Sequence, residues 1–165
     1  QASILRRRGL SLVESLISLL ISAMLLTAVG AAFTGSANAI DNNDDFYQAS
    51  QAARVSLARI LTEVRRGSVD EASTSTSLHL ITDSGLDVNY TYDAAHKQID
   101  YVTNSDGTSH VLARNVTQCT FVIKLGTDYN NAQCVKSVTM EIQVKVGTNS
   151  VFLTDSAALR RNIVY

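Results

Sequence analysis

Two periodicities divide this chain. From Leu10 to Phe33 the sequence LSLVESLISLLISAMLLTAVGAAF is apolar on every side and carries one charge, Glu14. At 1.5 Å per residue its 24 residues would span roughly 36 Å, more than the ~30 Å hydrocarbon thickness of a bilayer. Beyond a softer, acidic stretch (Asp41-Asn42-Asn43-Asp44-Asp45), apolar positions return at three- and four-residue steps: Phe46, Ala49, Ala53, Leu57, Ile60, Leu61 and Val64. That spacing predicts one apolar stripe on a helix. Arg65, Arg66 and Gly67 read as its stop, with cations at the dipole's negative end and Gly67 suited to a left-handed cap. A helix over 10–66 is too long for an ordinary globular domain and reads as a spine, its first half apolar and its second half packed on a sheet.

From residue 67 the period changes to two. After a polar linker at 68–76, strands are predicted at Ser77–Thr82, Leu86–Tyr92, Gln98–Thr103, His110–Arg114, Val116–Leu125, Val135–Val146 and Val151–Leu153. The turns between them carry Asp, Asn and Gly, as in Asn104-Ser105-Asp106-Gly107. The expected fold class is therefore α+β: a long N-terminal helical spine followed by an antiparallel β-sheet meander whose apolar face is buried by the helix stripe. The expected divisions are 1–9, 10–33, 34–66 and 67–165.

Composition changes little. The 165 residues hold 14 Lys and Arg against 15 Asp and Glu, with no proline to interrupt a helix. Without Arg6, Arg7 and Arg8 the remaining 11 basic residues face 15 acidic ones, so nucleic acid is not an expected partner. The arginine triplet precedes the apolar segment and would stay cytoplasmic, placing the rest of the chain outside the cytoplasm. Cys119 and Cys134 lack metal-site spacing. In an oxidising compartment they would pair, stabilising by about 3 kcal/mol in the loop-entropy picture. In a reducing one they are small apolar residues.

Three readings compete for the N-terminal segment. A secretory signal would use Ala37-Asn38-Ala39 as its cleavage site and release a periplasmic protein starting at Ile40, but the apolar run exceeds the usual h-region of about 7–15 residues. A plain anchor fits the length but gives no reason for Glu14. A carboxylate inside an apolar span costs on the order of 3 kcal/mol and implies a cationic partner.

The third reading rests on a motif. Arg8-Gly9-Leu10-Ser11-Leu12-Val13-Glu14, followed directly by the apolar helix, resembles the class III prepilin signal of the type IV pilin-like family. The resemblance implies cleavage between Gly9 and Leu10 by a prepilin peptidase, N-methylation of Leu10, and a pairing of Glu14 with the N-terminal amine of a neighbouring subunit during assembly. Leu10 departs from the phenylalanine usual at the first mature position, and the helix-bending proline of many major pilins is absent. The segments LARILTEVRRGS, VLARNVTQCTFVI and LRRN are similar to J-type minor pseudopilins of type II secretion and W-type minor pilins. The implied function is that of a minor pilin or pseudopilin subunit of the bacterial inner membrane. It would cross once, hold its C-terminal domain in the periplasm and join a type IV pilus or a secretion pseudopilus, in a tip or priming role. Its partners would be other pilins, the peptidase and the membrane. A filament-tip binding module (an adhesin or DNA-uptake receptor) is the alternative within the same class.

No enzyme and no cofactor is expected. His79, His96 and His110 lack metal-binding spacing, and no serine sits in a nucleophile elbow. Asp83, Asp87 and Asp93 are read as turn or solvent-facing residues. Tyr90, Tyr92 and Tyr101 are read as cross-strand packing before a carbohydrate patch. The sequons at Asn89 and Asn115 carry little weight in a prokaryote.

Overall fold

The structure, a computed structural model, describes residues 11–127, 131 and 133–159. It is α+β, with one long N-terminal helix whose second half packs on antiparallel sheet. Helix α1 runs Leu12–Arg66, 55 residues without a break. The chain divides into two compact units, Gln1–Asp41 and Asn42–Tyr165.

Within the second unit the helix supplies Ala49, Ala53, Leu57, Ile60, Leu61 and Val64 to one core, along the stripe that the spacing predicts. Ser50 and Ser56 are buried in the same stripe, where the sequence offers no apolar signal. Ser56 shows how a hydroxyl is accommodated there. Its Oγ donates within the helix to the Ala52 carbonyl (2.8 Å) and lies 3.3 Å from the Leu112 carbonyl on the sheet. Phe46 is only partly buried.

The strands are β1 Ser68–Val69, β2 Ser77–Ile81, β3 Asp87–Asp93, β4 Gln98–Thr103, β5 Thr108–Ala113, β6 Val116–Thr127, β7 Gln133–Val146 and β8 Asn149–Ala158. They form two antiparallel meanders, a five-stranded sheet in the order β1-β2-β3-β4-β5 and a three-stranded sheet in the order β6-β7-β8. The division falls at Asn115, a non-glycine residue at φ 60°. There the Val116 amide donates to the Lys97 carbonyl (2.9 Å) and the Lys145 amide to the Asn115 carbonyl (3.1 Å). The alternation of β7 holds from Val138 to Val144: Val138, Met140, Ile142 and Val144 are buried and the residues between them are not, while a bulge near the start of the strand sets buried Val135 three residues before Val138.

Several boundaries differ from the sequence reading. Residues 68–76 are not all linker, because Ser68 and Val69 pair with Ile81 and Leu80. Strand β8 extends well past Leu153. Its Thr154, Asp155 and Ser156 lie exposed on an outer strand, where polar residues cost nothing in burial, so their composition hides the pairing with β7. Gly67 is no left-handed cap. The positive-φ glycines are Gly85, Gly107 and Gly147, and the Gly67 amide still donates to the Glu63 carbonyl at 2.7 Å. Glycine is required at 67 because a Cβ would lie 2.5 Å from the Ile81 carbonyl oxygen, where β2 passes the end of the helix.

Candidate functional site

The first unit carries the residues on which the functional reading depends. Gly9 and Leu10 lie outside the described residues. Glu14 is in the first turn of α1 and exposed. A carboxylate there is favoured by the helix dipole, but no described residue gives it a hydrogen bond or an ion pair. Around it, every large apolar side chain from Leu12 to Phe33 is exposed, the least of them, Ile21, at 51%. This part of α1 is long and apolar enough to cross a membrane. Left in water, its twelve large apolar side chains would forgo on the order of 10 kcal/mol of burial energy. Three of the hydroxyls along this stretch close on their own helix: Ser22 donates to the Ser18 carbonyl (2.8 Å), Thr27 to Met24 (2.8 Å) and Thr34 to Gly30 (2.9 Å). Polar side chains closed on their own helix suit an apolar solvent; Glu14 is the one charge between Ser11 and Thr34.

In the second unit the cysteines do not pair. The β6–β7 register sets Cys119 opposite Ile142 and Cys134 opposite Gly126. Seven strand positions separate Cys119 from Gly126, about 23 Å at the rise of an extended strand, whereas a disulfide needs Cα atoms within about 7 Å. Both thiols are free, and the disulfide expectation is corrected. The two cysteines are near in sequence, but the hairpin places them at different heights. Burial pushes the Cys119 thiol up to about 12, which makes it a packing residue; Cys134 is half-buried.

Two polar clusters escape sequence reasoning. In the first, Tyr90 is fully buried and its hydroxyl donates to Glu63 Oε2 at 2.5 Å. Glu63 also takes Arg59 Nε at 3.3 Å, and the Arg59 guanidinium lies 4.8 Å from the Tyr101 ring centre. Burial, then the bond to Glu63, holds the Tyr90 hydroxyl well above its ordinary value. Tyr90 faces Tyr101 across β3 and β4, and Tyr101 faces His110 across β4 and β5, with ring centres 5.4 Å and 6.4 Å apart. These tyrosines are cross-strand packing, as their alternation suggests. Tyr92 instead ties the two sheets together, its hydroxyl donating to the Val116 carbonyl at 3.2 Å.

The second cluster joins Asp70, His79, Asp87 and Asn104. Asp87 is therefore not a simple solvent-facing residue. Asp93 is one that makes its turn: its Oδ1 accepts the Ala95 and His96 amides at 2.9 and 3.1 Å. The sequence signal for the His79 cluster was only that His79 and Asp87 sit on outward positions of neighbouring strands, which fixes neither partner nor distance.

Among the described residues, no three His, Cys, Asp or Glu side chains converge as a metal site would require. A shallow cleft of about 380 Å³ beside the helix end is lined by Arg59, Glu63, Arg66, Asp83, Ser84 and Tyr101, among others. No family model matches the chain, and neither curated proteins nor solved structures match it.

Proposed function

We propose that this chain is a type IV pilin-like subunit, a minor pilin or pseudopilin that acts by assembling rather than by catalysis. The observation that carries the reading is Glu14. It is a single carboxylate in the first turn of a helix that is otherwise apolar and exposed over the length of a membrane crossing, and that continues as the core helix of an α+β domain. The exposed apolar surface calls first for lipid and then for the equivalent helices of neighbouring subunits. A buried carboxylate in such packing needs a cation, and cleavage after Gly9 would create one, the amine of Leu10.

The subunit is inserted in a bacterial inner membrane with its β-domain outside the cytoplasm, cut by a prepilin peptidase and N-methylated. Its place is in a type IV pilus or a secretion pseudopilus, at the tip or in priming. Two measurements test this. The mature protein's intact mass and N-terminal sequence should show methylated Leu10; an N-terminus at Ile40 would establish a secreted protein instead. Glu14→Ala should insert and fold normally yet be depleted from filaments at least about tenfold, and incorporation at the wild-type level would refute the assembly role.

A further inference from the structure

His79 lies on the outer face of the five-stranded sheet, since its neighbours Leu78 and Leu80 point into the core. Both of its ring nitrogens face carboxylates. Nδ1 is 3.0 Å from Asp70 Oδ2 and Nε2 is 2.5 Å from Asp87 Oδ1. A neutral imidazole has one N–H and one lone pair, so it can satisfy only one of these contacts. The imidazolium satisfies both. Asn104 closes the arrangement by donating Nδ2 to Asp87 Oδ1 at 2.7 Å. The other acidic residues on this face of β3 and β4 are occupied elsewhere, Asp93 by the His96 ring at 2.6 Å and Asp100 by Gln98 Nε2 at 3.0 Å. No charged helix residue faces the ring, because α1 packs on the opposite side of the sheet, with the core residues.

Asp70 belongs to the segment 70–76, which leads from the end of β1 into β2. The segment is folded back on itself and on both sheets. The Asp70 amide donates to the His79 carbonyl (2.9 Å), the Ala72 amide to Asp70 Oδ1 (2.8 Å) and the His79 amide to Ser73 Oγ (3.0 Å). Further along, the Ser75 carbonyl accepts the Phe121 amide of β6 (2.8 Å) and the Thr76 carbonyl accepts the Tyr92 amide of β3 (2.9 Å). The geometry points to a proton-operated clasp: the His79 imidazolium, held between Asp70 and Asp87, fastens segment 70–76 to the sheet, and loss of that proton loosens it and its bond to β6.

The titration runs in the required sense. The bond to Asp87 is the main effect and raises His79 above its ordinary value; burial, the next in size, opposes it, and the bond to Asp70 adds to the rise. Asp70 is lowered first by the Ala72 amide and then by His79, and Asp87 first by Asn104 and then by His79. A raised histidine contributes stability that is complete below its unfolded value of about 6.5 and is lost as pH climbs through the folded value. Lowered carboxylates contribute above about 3.9 and lose it as pH falls through their folded values. The clasp is therefore closed in mildly acid solution, below about pH 6.5, and opens as pH climbs through the raised His79 value.

The test uses the full chain in detergent micelles. Amide protection factors at Ala72, His79 and Phe121 are measured at about pH 6 and about pH 9, with the His79 ring nitrogens followed by 15N shifts. Protection should fall at least about threefold between the two, with the midpoint at the ring titration. His79→Gln should show the low protection at both pH values. Asp70→Asn, which keeps the ring and the Asp87 bond, should move the midpoint down. His96→Gln should leave the profile unchanged. The inference is overturned by protection that is flat with pH, by a His79 ring carrying one proton at pH 6, or by a His96→Gln variant that removes the transition. If His79→Gln does not fold, an Asp70→Asn midpoint equal to that of the wild type overturns it.

Discussion

A methyl group added at Gly67 would meet the Ile81 carbonyl oxygen at 2.5 Å and the Glu63 carbonyl oxygen at 3.0 Å, both backbone atoms that cannot swing away. Gly67→Ala should therefore destabilise the β-domain by about 1–3 kcal/mol, read as a lower urea midpoint with an unchanged slope. Tyr90 sets a second limit at this scale. Its hydroxyl is buried against Glu63, and the raised pKa means the native state holds that proton more tightly than the unfolded chain. By linkage this stability is intact below about pH 10 and falls as pH rises above it. Tyr90→Phe should cost about 1–3 kcal/mol near neutrality, since it strips a donor from a charged acceptor, and should flatten the alkaline limb of a stability–pH curve. A variant as alkali-sensitive as the wild type would show that other groups carry that limb. Neither feature was legible in the sequence. Gly67 reads as a cap because a glycine after two arginines ordinarily is one, and the requirement at 67 comes from a strand passing close by.

Elements were far more readable than their edges. The helix stripe and β4 stand where the spacing puts them, because period and turn chemistry agree locally there. β8 was seen only in part, because an outer strand needs no apolar alternation to pair. Where two strands must be put in register, sequence fails altogether, and the cysteines show it. A 15-residue spacing suits a bridge only if the intervening chain closes on itself, but here it climbs one strand, turns and starts down the next. The protein should therefore migrate alike with and without reductant and hold two free thiols. Under native conditions a maleimide should modify half-buried Cys134, and Cys119 should react only once urea unfolds the domain. Rapid native labelling of both would contradict the register.

At the scale of the molecule, the two compact units have opposite relations to water. Residues 42–165 enclose a core drawn from helix and both sheets, whereas the described part of the first unit buries almost nothing of itself. A fragment beginning at Asn42 should be soluble and unfold cooperatively, while the full chain should need detergent or lipid to stay in solution. Aggregation of the fragment under native conditions would show that its fold depends on the preceding helix. Among the described residues, finally, every strand pairs only with a neighbour in the chain, from β1 through β5 and again from β6 through β8. No described strand waits for a distant partner, so loop-closure entropy is small at each step. A chain emerging N-terminus first from a narrow opening can zip each strand onto the one before it. The joint at Asn115 and Val116, where one meander hands over to the next, requires what has already emerged to stay in place, as does the bond from the Phe121 amide back to the Ser75 carbonyl.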